Sequence, residues 1–508
     1  MADGGNLVSE LYLARAPDAP LFLMPEGATV TTRAALERIG RMAAALAERG
    51  VRPGERLSFK LDKSLDAILL AHACFHRGAI LHPLNTGYTD PEIGALLADA
   101  EPALLVCEDA ERDRLAPIAE ASGTRIASLS EIRGLADAGA GIVPPVAPPP
   151  GPHGAAALLY TSGTTGKPKG ALITHANLIE NARALATIWQ LGPDDVLLHA
   201  LPVYHAHGLL TSLNTFLAAG GSVLLLPRFD LDAVLPALSQ TTVMMGVPTH
   251  YARLAAEPTL KQAIGSTFRF AISGSAPLPT ELGRRFAAAA GVPIVERYGS
   301  TEAAIVAAVP PDRSDRLGWV GWALPGEEIR ISAKDGTRTA QGIGILETRG
   351  PHVFAGYWRN ESATAAAFTE DGWFVTGDIA EIDDDGCVRI LGRDKDLIIS
   401  GGLNVYPAEI EDALLASPGI SAAAVFGVPH PDFGEAVVAA VELGPNAILD
   451  ERRTIADLRT QLAAYKTPKR IVAVDAIPRN TMGKTLKGPL RDTHADLFAS
   501  TETPSIKT

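Results

Sequence analysis

At 508 residues, with 47% hydrophobic and 20% charged side chains, the chain is longer than a single core usually supports, so two or more domains are expected. Its 58 acidic and 45 basic residues leave a net charge of −13, which excludes the basic face that nonspecific nucleic-acid binding requires. Any anionic ligand must therefore be held by local donors rather than by a global field.

The three cysteines, Cys74, Cys107 and Cys387, lie far apart and show no metal spacing, as in a reduced intracellular protein. The amino terminus has neither a basic region followed by an apolar segment nor an Arg-rich, acid-poor stretch. No segment reaches the roughly 18 uninterrupted apolar residues of a membrane span. A cytoplasmic location with no membrane partner is the expectation.

In chain order, Leu36, Ile39, Ala43 and Leu46 recur at helical spacing and Gly50 closes the pattern. A strand over 57–60, a helix over 65–75 and a strand over 79–84 follow. Asp90 and Pro91 read as the cap and first residue of the next helix, and 103–107 as another strand. Strands alternating with helices imply an α/β fold with a parallel sheet covered on both faces. Residues 144–154 form a proline-rich connector that cannot be helical. Beyond it, helices are expected over 176–188 and 208–219, and strands over 196–201, 223–226, 242–245 and 268–272. The polar tail from Ser500 reads as disordered.

The chemistry begins after the apolar run 155–159, which reads as a buried strand. The segment that follows it, Tyr160-Thr161-Ser162-Gly163-Thr164-Thr165-Gly166-Lys167-Pro168-Lys169-Gly170, concentrates hydroxyls, glycines and lysines. Glycine lets backbone N–H groups converge on an anion, and the hydroxyls and ammonium groups add donors. The segment is suited to phosphate. It is not a Walker A loop, because two residues rather than four separate Gly163 from Gly166 and Pro168 follows Lys167.

Further signals follow in order. Ser273-Gly274-Ser275-Ala276-Pro277 offers small residues after a strand, and Arg297-Tyr298-Gly299-Ser300-Thr301-Glu302 combines an aromatic, a glycine and oxygen ligands. Gly372-Trp373-Phe374-Val375-Thr376-Gly377-Asp378 places a carboxylate at what reads as a tight turn, suited to the two hydroxyls of a ribose. A long charged-to-apolar junction runs from Gly392 to Glu411, and Pro478-Arg479-Asn480-Thr481-Met482-Gly483-Lys484 closes the series.

These motifs, in this order, resemble those of the acyl-adenylate-forming enzymes, the superfamily of acyl-CoA synthetases, luciferases and peptide-synthetase adenylation domains. The likeness spans essentially the whole chain. It implies a large N-terminal domain (1–393) of αβα-type sheets plus a small β-subdomain. A small, mobile α+β C-terminal domain (394–508) would follow, hinged at Lys395. It implies ATP, Mg²⁺ and coenzyme A. Thr161, Ser162, Gly163, Thr164, Thr165, Gly166, Lys167 and Lys169 would hold phosphate. Ser275, Ala276, Pro277, Glu296, Tyr298 and Gly299 would line the adenine site. Thr301 would contact phosphate, Asp378 the ribose, and Arg393 the nucleotide. Glu302 and Thr165 would hold the metal, Lys484 would be the catalytic lysine, and Gly401 and Gly402 would line the thiol tunnel.

Within that superfamily, Arg297 bears on the choice of acid. An unpaired guanidinium in an acyl pocket costs several kcal/mol unless an anion meets it. A second carboxylate can do so bidentately, whereas a fatty or aryl chain cannot. Together with His205 and His207 this resembles malonyl-CoA synthetases, although those generally carry Met at the position of Ser300, a further candidate for the acyl pocket, and Phe at that of Tyr204. The departures leave methylmalonate and larger diacids open. The alternatives are a ligase for a short- or medium-chain or aryl monoacid, a non-catalytic nucleotide-binding protein of the same fold, and, for Arg297, a plain salt bridge to a neighbouring carboxylate, Glu296 included.

Overall fold

The computed structural model describes residues 5–12, 15–139, 146–148, 154–161, 168–401, 403–479 and 484–498. Local chemistry sets many of the elements. Helix Thr32–Glu48 is capped by the Thr31 side chain, which accepts from the Ala34 N–H. It buries Ala35, Ile39, Ala43 and Leu46, and Gly50 follows with φ +77°. Helix Asp90–Ala100 corrects one expectation. Its cap is Thr89, in a capping box with Glu92, so Asp90 and Pro91 both lie inside the first turn. Helix Leu65–His76 buries every residue from Ala67 to His76, as befits a segment apolar all round.

Four sheets organise these elements. A nine-stranded sheet has six parallel strands at its centre: Ile294–Ser300, Phe270–Ser273, Val243–Gly246, Val196–His199, Ser222–Leu225 and Pro20–Leu23. A seven-stranded sheet has Ala155–Thr161, Ile80–Pro83, Arg56–Lys60, Leu104–Cys107 and Arg125–Ser128 in parallel. Antiparallel strands Lys169–Thr174 and Gly356–Tyr357 extend one edge of it. The expectation of a parallel sheet thus holds for the centres, while the margins are antiparallel. A single apolar core joins these two sheets, with Phe22, Phe59, Phe75, Trp189, Phe216 and Phe270 among its members. The third sheet is antiparallel and carries strands Phe374–Ile382 and Val388–Arg393. The fourth is built from residues beyond 397, with separate apolar clusters holding Val425 and Val437 on one face and Phe426 and Val438 on the other.

This architecture places the site. The parallel strands of the nine-stranded sheet end side by side, with Met245 opposite His199, Gly246 opposite Ser273, and Ser273 opposite Glu296. Ligands of open α/β sheets bind outside such carboxyl ends.

Candidate active site

Four segments converge at those strand ends: the turn after Val196–His199, the loop after Phe270–Ser273, the strand Ile294–Ser300 with its return strand Ala304–Ala308, and the bulged strand Phe374–Ile382. The expected helix over 208–219 is instead a π-helical turn, His207–Ser212, running into α-helix Leu213–Ala219. A β-carbon on Gly208 would lie 2.0 Å from the Pro202 carbonyl oxygen, so only glycine allows the turn to fold back this tightly. Such π-turns are rare and concentrate at functional sites.

The nucleotide side is a connected polar network. Tyr298 donates its hydroxyl to one oxygen of Asp378, and Arg393 pairs with the other at 2.6 Å. Asp378 lies within a strand, opposite Arg393 in register, and not at the tight turn expected; Gly377, at φ +69°, marks a bulge that turns the carboxylate. Burial raises the Asp378 pKa, opposed by the Arg393 charge, the Tyr298 hydrogen bond and Lys484. Lys484 stands at a solvent-open position walled by protein. Partial desolvation and then Arg393 lower its pKa, and Asp378 opposes the shift. Glu302 lies within electrostatic reach of Asp378. Its Oε1 accepts from Thr161 Oγ1 at 3.3 Å and from the Tyr357 hydroxyl at 3.2 Å, and Lys169 rests over the Tyr357 ring at 5.2 Å. Tyr357 was not found by reading the sequence.

Among the described residues no group of three or more His, Cys, Asp or Glu is placed to hold a metal ion. A lone carboxylate beside a phosphate site nonetheless suits Mg²⁺, which is commonly held by one or two carboxylates with the phosphates of the nucleotide. Glu302 leaves Oε2 without a hydrogen bond among the described residues.

The acid side is different. Arg297 is 9% exposed, its Nε is buried without a partner, and its guanidinium makes no ion pair among the described residues. The Glu296 alternative fails, because that side chain accepts from the Gly318 N–H at 2.9 Å. Burial raises the Glu296 carboxyl to about 8. Gly274 makes room for Arg297: a β-carbon there would come within 2.2 Å of Nε. Burial lowers the Arg297 pKa to about 10. Burial and the Arg297 charge hold His205 at about 4 and push His207 far below its ordinary value, so both rings are neutral near pH 7. The His207 N–H donates to His205 Nδ1 at 3.2 Å, while His207 Nδ1 bonds to Ser275 Oγ at 3.0 Å and Nε2 is buried without a partner. Ser275, at φ +69°, therefore ties the loop after Phe270–Ser273 to His207.

The other expected residues are distributed around this centre. Ala276 and Pro277 continue the loop from Ser275, and Thr301 lies half-buried in the turn between the two strands. Ser300 Oγ accepts from the Ala303 N–H at 3.1 Å, and Gly299 tolerates no β-carbon, since one would sit 1.8 Å from the Ala304 oxygen. Lys395 is exposed in the single turn Asp394–Asp396. Gly401 follows strand Ile398–Ser400 and donates to the Phe433 carbonyl at 2.9 Å, and Lys484 lies within electrostatic reach of Asp378. Ser162, Gly163, Thr164, Thr165, Gly166, Lys167 and Gly402 lie outside the described residues, as do residues 480–483, the tail from 499 and most of the connector 144–154.

Comparison with known proteins agrees with this geometry. Residues 10–358 match the AMP-binding enzyme family, and residues 409–484 match the AMP-binding enzyme C-terminal domain. The crystal structure of ATP-bound MatB from Rhodopseudomonas palustris is 42% identical and aligns with a TM-score of 0.92 over 97% of this chain and 99% of that one. A feruloyl-CoA synthase of Amycolatopsis sp. is 36% identical over 92% of this chain and 94% of the relative. A mitochondrial malonate–CoA ligase of Mus musculus is 33% identical over 86% of this chain and 81% of the relative. The chain belongs to the AMP-binding enzymes, as an acyl-CoA synthetase of the acyl-adenylate-forming superfamily.

Proposed function

We propose that the protein ligates malonate to coenzyme A through malonyl-AMP. One malonate carboxylate attacks the α-phosphorus of ATP, the bond to pyrophosphate breaks, and the mixed anhydride forms. The thiol of coenzyme A then attacks the carbonyl carbon and expels AMP. The observation that carries the choice of acid is Arg297, a buried guanidinium with no carboxylate partner among the described residues, flanked by neutral His205 and His207. A charge left in that state costs several kcal/mol, and the distal carboxylate of a diacid offsets the cost through two parallel hydrogen bonds.

In this reading Tyr298 stacks on adenine, and Asp378 receives the ribose hydroxyls on the lone pairs that Tyr298 and Arg393 leave open. Lys484 meets the oxygens on which charge builds as two anions are brought together, where a fixed ammonium acts electrostatically. Glu302, with Thr165, would hold Mg²⁺, which when bound neutralises charge on the phosphates. After adenylation, residues 394–508 rotate about Lys395 so that Gly401 and Gly402 replace Lys484 and line the path of the thiol. Few residues need change φ and ψ for such a hinge.

The rival is a ligase of aryl or aliphatic monoacids, which the likeness to a feruloyl-CoA synthase keeps in play. Acid-dependent exchange of pyrophosphate into ATP separates the two. The reading expects malonate to drive exchange well above hexanoate and cinnamate, and exchange with the monoacids alone would overturn it.

A further inference from the structure

Glu302 and Lys169 carry opposite charges, yet the two make no ion pair with each other among the described residues. Tyr357 engages both. Its hydroxyl donates to Glu302 Oε1 at 3.2 Å, and the Lys169 ammonium sits 5.2 Å from the centre of its ring. The residue is held from several directions. Its backbone pairs with the edge strand, Tyr357 opposite Ala171, and its N–H donates to Thr364 Oγ1 at 2.8 Å. The edge of its ring meets Phe354 at 4.9 Å.

Resting on the site assigned above, we propose that Tyr357 is a positioning residue of the phosphate site, holding the Glu302 carboxylate for the nucleotide-bound cation while its ring keeps Lys169 available to phosphate. A direct Lys169–Glu302 pair would cancel two charges the reaction needs. The phenol prevents that by giving the carboxylate a neutral donor and the ammonium a π face.

The test compares Tyr357→Phe, Glu302→Gln and wild type in two readouts: equilibrium binding of ATP titrated with magnesium, and acyl transfer to coenzyme A from preformed acyl-adenylate. Removing the hydroxyl that orients a metal-binding carboxylate is expected to raise the magnesium midpoint of ATP binding by about 10-fold or more. Metal-free ATP binding and the acyl-transfer step stay within about 2-fold, since neither uses that hydrogen bond. A raised midpoint in both variants, with acyl transfer intact in Tyr357→Phe, supports the proposal. An unchanged midpoint in Tyr357→Phe beside a raised one in Glu302→Gln overturns the proposal and leaves the site assignment standing. No change in either variant overturns both, and equal losses in both readouts reduce Tyr357 to a packing residue.

Discussion

The two sides of the cleft are built on opposite principles. On the nucleotide side Tyr298, Asp378, Arg393 and Lys484 answer one another, and Glu302 has Thr161 and Tyr357. On the other side Arg297 keeps a buried Nε and His207 a buried Nε2 without partners among the described residues. A network whose charges are already paired can stand preformed for its ligand. An unmet charge is costly and specific, because only a ligand of complementary charge relieves it. In the proposed reading, the Asp378 network serves the shared chemistry and Arg297 the choice of acid.

Substitutions should separate these two roles. The largest effect is expected from Lys484→Ala, with a loss of about 10²–10³ in adenylation measured by pyrophosphate exchange. Acyl transfer from preformed adenylate should be spared, and equal loss in both steps would break the assignment of Lys484 to the first. Next comes Arg297→Met, which should lower kcat/KM for malonate by about 10²-fold, the worth of a bidentate charge-assisted pair, while the KM for ATP stays near its wild-type value. Tyr298→Phe keeps the stacking ring but removes the donor to Asp378, so a rise of about 10-fold in the KM for ATP is expected, with the acid preference unchanged.

The smallest effect concerns Glu296, which shares a strand with Arg297 yet belongs to neither network. Its carboxyl is raised to about 8, so between pH 4.5 and 8 the folded state holds a proton that the unfolded chain releases. Stability from this group is complete below about pH 4.5 and is lost as pH rises through 8. Glu296→Gln should therefore gain roughly 1–3 kcal/mol relative to wild type at pH 8.5 compared with pH 5, as read by denaturant unfolding. An equal difference at both pH values would show that the carboxyl is not buried in solution.

Much of this was legible in the sequence, for reasons that also explain the omissions. Strand–helix alternation disclosed the α/β sheets, and motif order disclosed the family, because both are local in the chain. The Thr89 cap was misplaced by one residue, since Thr89 and Asp90 are both competent caps and only the backbone decides between them. Asp378 was placed at a turn because Gly377 signals one; the glycine instead makes a bulge within a strand. Nothing in the composition of 207–212 announces a π-turn, which depends on Gly208 approaching the Pro202 carbonyl. Tyr357 escaped notice because its role exists only once a short edge strand pairs with Lys169–Thr174 and carries the phenol to Glu302. That Arg297 forms no ion pair among the described residues likewise emerges only from the fold, which turns Glu296 to the Gly318 N–H.

The most direct test of the contrast between the two sides is the ratio of kcat/KM for malonate to that for hexanoate, measured in wild type and in Arg297→Met. The account predicts a ratio well above one in wild type that collapses by about 10²-fold or more in the variant, with ATP kinetics unchanged. A ratio that stays the same after Arg297 is replaced would contradict it.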